Sequence, residues 1–228
     1  IWAFTERGNI YQFDSGEDRF KVVLDLYAME FWSSVQTLFV TGDDHLIIGL
    51  NEGIVCYDLP NEKLLGHVAK NRNIRDFLEW STDTLLVASD KGLSFLDLRN
   101  NVANGEFVDN LPALCLHEVE ETIWIGTRGK GLYHMDRATK EQPVLVEGST
   151  DIIYNAIDYL DNYGLLLATD GLGLMQLDVD DESGLPTSEL LRIAYDSKEA
   201  SFPTRSGGIN DVMVNNGNIW FSMYMGGC

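Results

Sequence analysis

One short pattern returns along this chain and restricts what it can fold into. Its best copy runs from Thr122 to Asp136, TIWIGTRGKGLYHMD. Two β-type runs, Ile123–Ile125 and Leu132–Met135, flank a glycine-rich break, which is a hairpin signal. Gly129 and Gly131 give that turn access to positive φ. Asp136 closes the second run, where an Asx turn stops a strand. The pattern returns as HLIIGLNEGIVCYD (45–58), TLLVASDKGLSFLD (84–97) and GLLLATDGLGLMQLD (164–178). The chain opens inside one copy, IWAFTERGNIYQFD, and ends inside another, NIWFSMYMGGC. The closing aspartates Asp14, Asp58, Asp97, Asp136 and Asp178 are spaced by 44, 39, 39 and 42 residues. The glycine opening the second hairpin strand keeps pace at Gly8, Gly53, Gly92, Gly131 and Gly173.

A further β-run precedes each hairpin, over 36–41, 75–80, 113–119, 154–160 and 209–214. A weaker run follows it, over 20–26, 63–68, 106–109, 144–146 and 190–195. Four strands per unit at a period near forty predict the antiparallel blades of an all-β propeller. The repeats fall at roughly 1–34, 35–73, 74–112, 113–151, 152–208 and 209–228, within a single propeller domain. The first and last strands, over 1–5 and 218–224, duplicate rather than complement one another. The expectation is therefore a partial arc, about five blades plus a strand, of a larger ring.

Composition bounds the function. A net charge of −20 argues against nucleic acid, whose phosphates need a basic surface, and against an anionic membrane surface. No run approaches the ~20 apolar residues of a membrane span. Of three cysteines, Cys56 and Cys115 sit in apolar strands and are expected to be buried free thiols, too far apart to bond to one another; Cys228 is the last residue. No C-x-x-C, H-E-x-x-H or G-x-S-x-G motif occurs, so neither cofactor, metal nor catalytic residue is nominated. Asp178, Asp180 and Glu182 alternate as in a calcium loop. The run lacks the loop's glycine and closing glutamate, and is expected to be a solvated hairpin extension.

The copies IWIGTRGKGLYHMD and INDVMVNNGNIWFSMYMGG resemble the two-component regulator propeller repeat. That repeat builds the periplasmic sensor regions of Bacteroidetes-type hybrid two-component histidine kinases. Other copies depart from it: the tryptophan becomes Ile47, Leu86 or Leu166, and the second turn glycine becomes Lys130 or Leu172. The resemblance covers essentially the whole chain. It implies seven blades in the complete ring, an extracytoplasmic sensor, a small-molecule or oligosaccharide ligand, a kinase outside this chain, and dimerisation through the full-length sensor.

In an up-and-down blade, alternate turns lie at opposite ends. The turns joining second to third strands therefore share an end with the connections between blades, and that end is the candidate ligand face. From the turns come Arg7, Glu52, Asp90, Arg128, Lys130 and Asp170; from the connections come Tyr27, Trp32, Arg75, Tyr154 and Asn155. Tyr224, Met225, Arg205 and the long connection SKEASFPTRSGG are assigned to the same end. Aromatic rings stack on sugar CH groups while carboxylates, amides and guanidinium groups bond hydroxyls. Trp2, Trp124 and Trp220 share one repeat position and are expected to pack between blades. A propeller lyase or glycoside hydrolase is an alternative, and would converge His or carboxylates on the central funnel. A protein-interaction propeller is another, and would expose an apolar face.

Overall fold

The computed structural model describes residues 1–161, 163–187, 191–192 and 208–223. Among them lie twenty-one β-strands and no helix. The chain divides into two compact units, Ile1–Asn110 and Leu111–Cys228.

In the first unit, β1 (Trp2–Phe4), β2 (Asn9–Asp14) and β3 (Arg19–Asp25) form a three-stranded sheet. A four-stranded sheet follows: β4 (Val35–Val40), β5 (His45–Leu50), β6 (Gly53–Asp58) and β7 (Lys63–Val68). Next comes β8 (Ile74–Ser81), β9 (Thr84–Ser89), β10 (Gly92–Asp97) and β11 (Val102–Asp109). The second unit repeats the plan with β12 (Ala113–Val119), β13 (Thr122–Thr127), β14 (Leu132–Asp136) and β15 (Val144–Leu145). It continues with β16 (Tyr154–Leu160), β17 (Gly164–Thr169), β18 (Gly173–Leu177) and β19 (Leu191–Arg192), and ends with the pair β20 (Ile209–Asn215) and β21 (Asn218–Met223). Every pairing is antiparallel and sequence-adjacent, the blade order expected from the repeat. The expected run over 190–195 falls partly outside the described residues.

The apolar runs do not alternate because their strands are covered on both faces. In β5, Leu46, Ile48 and Leu50 join a cluster with Ile10, Leu24 and Leu26, while Ile47 points to Ile74, Leu85 and Val87 of the next sheet. In β17, Leu165 and Leu167 meet Trp124 and Tyr154, while Leu166 and Ala168 meet Ile209 and Val212. Each fully buried side chain of this size contributes about 1.5–3 kcal/mol. The core is thus a series of layers between neighbouring sheets of each unit.

The repeat glycine is demanded by its backbone: φ is +90° at Gly8, +116° at Gly53, +146° at Gly92, +109° at Gly131 and +81° at Gly173. Three of these turns share a brace. The hydroxyls of Ser89, Thr127 and Thr169 donate to the carbonyls of Gly92, Gly131 and Gly173 at 3.0, 2.5 and 2.5 Å.

A second repeated device lies at the start of the first strand. The pairing with the second strand slips by one residue in all five complete first strands, leaving Gln36, Arg75, Leu114, Asn155 and Asn210 as bulge residues. A bulge re-aims its side chain out of the ladder. The Arg75 guanidinium donates to the Gln36 amide oxygen at 2.9 Å, linking two bulges, and the Asn155 amide donates to the Ile209 carbonyl at 2.8 Å.

Trp124 is completely buried and Trp2 packs into the first interface layer, as the repeat position predicts. Trp220 differs. It is 58% exposed and lines an open groove of about 240 Å³ with Asp211, Met213 and Phe221. A repeated position supplies packing only where a neighbouring sheet covers it, and no described sheet covers this face of β21.

Candidate functional site

The turns and inter-blade connections do share one end in each unit. In the first, Asp90 and Asn73 exchange bonds between a turn and a connection: the Asn73 amide donates to the Asp90 carboxylate at 2.9 Å, and the Asp90 amide to the Asn73 carbonyl at 3.1 Å. His67 Nε2 lies 2.9 Å from the Glu52 carbonyl. In the second unit, the Arg128 amide donates to Pro112 and pairs with Ile153 across the connection, and the Asp170 amide donates to the Ile153 carbonyl.

The connection from β3 to β4 has a definite local cause. The Phe31 amide reaches back to the Leu26 carbonyl at 2.9 Å and the Glu30 amide to the Tyr27 carbonyl at 3.0 Å, with Glu30 at φ +64°. These are the paired closures of a Schellman turn, and its usual apolar contact is supplied by Leu26 and Phe31, which share one core layer. The turn holds Tyr27 and Trp32 outward. Their rings meet edge to face at 5.0 Å and 89°, and Trp32 remains 72% exposed. Phe31 stacks edge-on against His67 at 5.2 Å, joining this platform to the end of β7. Tyr27 also lies over Gly8, so Arg7 borders the platform.

The other nominated residues divide into two groups. Arg7, Glu52, Asp90, Arg128, Lys130 and Asp170 are exposed on turns, as expected of a rim. Arg75, Tyr154 and Asn155 are turned inward. Arg75 and Asn155 are bulge residues engaged with neighbouring strands. Tyr154 is fully buried, and its hydroxyl donates to the Ser149 carbonyl at 3.1 Å. Burial pushes that phenol far above its ordinary range. Its nomination is corrected: it opens β16 facing the core, one residue before the bulge that sets Asn155 against the Ile209 carbonyl. Gln36, which no sequence motif singles out, anchors Arg75. Tyr224, Met225, Arg205 and the SKEASFPTRSGG connection lie outside the described residues.

The second unit brings together ionisable groups that no motif announced. His117 Nε2 lies 3.8 Å from Asp158, whose other oxygen accepts the Val214 amide at 2.6 Å. Burial lowers the His117 pKa against the opposing pull of Asp158 and Glu118. Asp211 is raised by burial, with Asp158 adding to it. Among the described residues no cluster of three or more His, Cys, Asp or Glu forms a metal site. Asp180 accepts the amides of Glu182 and Ser183 and the Ser183 hydroxyl, so the acidic run is an Asx turn. Cys56 and Cys115 are free and buried, and burial pushes the Cys56 thiol up to about 12.

No protein-family profile matches the sequence, and no curated protein matches it either. Solved structures do. The extracellular domain of BT4673 from B. thetaiotaomicron, assigned to the hybrid two-component class, superposes with a TM-score of 0.74 at 22% identity over 97% of this chain and 30% of that one. The corresponding domain of BT3049 gives 0.70 at 21% over 100% and 31%. The chain has the fold of these extracellular domains. PorZ, a surface component of the type-IX secretion system of Porphyromonas gingivalis, gives 0.61 at 17% over 96% and 28%. The chain thus spans under a third of the length of each.

Proposed function

We propose that this chain belongs to the ligand-sensing, extracytoplasmic propeller of a hybrid two-component system, placed in the periplasm, and that it signals to a histidine kinase elsewhere. The ligand is an oligosaccharide held at the end formed by the second-to-third-strand turns and the inter-blade connections. The observation that carries this is the Tyr27–Trp32 pair, an outward aromatic platform fixed by its own turn and bordered by polar turn residues. The fold shared with the two B. thetaiotaomicron extracellular domains supports the sensor role. This segment binds and does not turn over its ligand, uses no cofactor, and contacts neither nucleic acid nor membrane; pairing of two copies occurs through the full-length sensor. A thermal-shift screen against oligosaccharides, with product formation followed in parallel, tests it. A ligand that raises Tm and is recovered intact supports the reading. Ligand consumption would replace it with a propeller enzyme. A protein-binding propeller is the alternative, and it predicts no oligosaccharide response.

A further inference from the structure

Charge is sorted between the two ends of the first unit. Away from the candidate end, bases are matched to carboxylates: Arg19 pairs with Glu17, Lys21 with Asp14 at 2.5 Å, and Arg99 with Asp83. Lys63 lies within electrostatic reach of Asp58. The candidate end carries Arg7, Lys70, Arg72, Arg75 and Lys91. Among the described residues Arg7, Lys70 and Lys91 form no ion pair. Glu6, Glu30, Glu52 and Asp90 share this end, but the Asp90 carboxylate is occupied by the Asn73 amide.

The β7–β8 connection is also bent in an unusual way. Ala69 and Asn71 both adopt left-handed backbone, φ +50° and +67°, on either side of Lys70. An alanine held there is strained, and such strain collects at ligand-binding positions. The amides of Lys70 and Asn71 donate to no acceptor among the described residues. Successive free amides on a backbone of this kind form a concavity that accepts anions. Lys70 is exposed beside them, and the connection adjoins the aromatic platform through the Phe31–His67 contact.

We infer that the ligand carries a negatively charged group, a uronate carboxylate or a sulfate ester. Lys70 and the amides of Lys70 and Asn71 receive that group while a sugar ring stacks on Trp32. This rests on the oligosaccharide reading and narrows it. The chain's net charge of −20 opposes approach from a distance, but physiological salt screens it beyond about 8 Å, leaving the local cations to decide affinity.

The test is calorimetric titration with three probes of equal length: an oligogalacturonate, a sulfated galactan oligomer and a neutral xylo-oligosaccharide. At least one acidic probe should bind about tenfold or more tighter than the neutral one, and its affinity should fall with added salt. Lys70→Glu should abolish that preference at unchanged Tm. Should Lys70→Glu lower Tm, Lys70→Gln removes the charge without reversing it and should reduce the preference. Which acidic probe responds separates carboxylate from sulfate. A neutral probe that binds as tightly as the acidic ones overturns the inference and leaves the oligosaccharide reading standing, as does an acidic preference untouched by either Lys70 variant. Failure of all three probes removes both.

Discussion

The indole Nε1 of Trp124 donates to the carbonyl of Gly184 across 3.2 Å, sixty residues further along the chain. Next to it, the Thr122 hydroxyl donates to the Ser183 carbonyl at 2.6 Å. The segment after β18 keeps its acidic side chains exposed, as expected of a solvated hairpin extension, and in addition straps the neighbouring sheet through its main chain. Tyr159 adds a third tie, its hydroxyl 2.6 Å from Asp181; that bond pushes the phenol up to about 12.

Trp124 should consequently be the costliest tryptophan to remove. Trp124→Ala is expected to destabilise by about 3–5 kcal/mol through the cavity it leaves. Trp124→Phe keeps much of the ring but orphans the Gly184 carbonyl, and should cost at least about 1 kcal/mol. Trp220→Ala, at the same repeat position but exposed, should stay within about 1 kcal/mol. Urea unfolding followed by circular dichroism measures all three. Equal losses at Trp124 and Trp220 would show that the repeat position alone sets the energy.

The repeat glycine supplies a second contrast. At Gly92, a Cβ would lie 1.9 Å from the Val108 carbonyl oxygen, and φ is +146°. Gly217 has φ +73° and nothing within 4 Å of its virtual Cβ. Gly217→Ala should therefore cost only the left-handed backbone penalty, about 1–2 kcal/mol. Gly92→Ala must also separate β10 from β11, and should cost clearly more. Thermal melts of the two variants decide it; a Gly92→Ala protein as stable as Gly217→Ala would contradict the fit of that turn.

What was legible in the sequence was what local chemistry fixes. A run such as TLLVAS between turn signals has to be a strand covered on both faces, and a glycine at φ +146° has to be glycine. Contacts that depend on a neighbouring sheet were not legible. Tyr154 and Asn155 are adjacent, and a bulge between them decides which faces the core; one residue of register exchanges the faces. Equivalence placed Trp220 in its strand but said nothing of what covers it. In the strap, the acidic side chains of 180–182 are solvated as their composition suggests. Apart from the Tyr159–Asp181 bond, the contacts are made by the Ser183 and Gly184 carbonyls, and a main-chain carbonyl leaves no mark in a sequence. The platform was legible in part: Tyr27 and Trp32 stood outside the strand pattern, but the Schellman closure through Glu30 did not.

Acid sensitivity should come in two stages. Burial lowers the pKa values of His117 and His134, so the folded chain resists a proton that the unfolded chain accepts near pH 6.5. Stability is therefore lost as pH falls from about 6.5 towards the folded values. Hydrogen bonds lower Asp14, Asp58 and Asp97, and their contribution is lost only below the ordinary carboxylate range, near pH 3.8. Asp211, raised by burial, works the other way and favours acid. Melting curves across pH 2.5–7.5 should show Tm falling from about 6.5 downward, with a second loss below about 3.8. His117→Gln with His134→Gln should flatten that slope while leaving the loss near pH 3.8. A slope unchanged in the double variant would assign the first stage to other groups.

Trp32 separates binding from stability. It is 72% exposed, outside the core, and among the described residues its ring partner is Tyr27, so Trp32→Ala should change Tm little. If the platform stacks a sugar, the same substitution should weaken binding of a responding oligosaccharide by about 2 kcal/mol or more. Tyr27→Ala should weaken it as well, and the double variant should lose less than the sum, because each ring orients the other across their 5.0 Å edge contact. A paired change at Arg128 and Lys130, both exposed on the best-formed turn of the second unit, tests the corresponding end of that unit by itself. Loss of affinity in the Trp32 variant with full affinity in the Arg128–Lys130 variant confines the ligand to the first unit. The reverse places it on the second. Full affinity in both, at unchanged Tm, removes this end of the blades as the site.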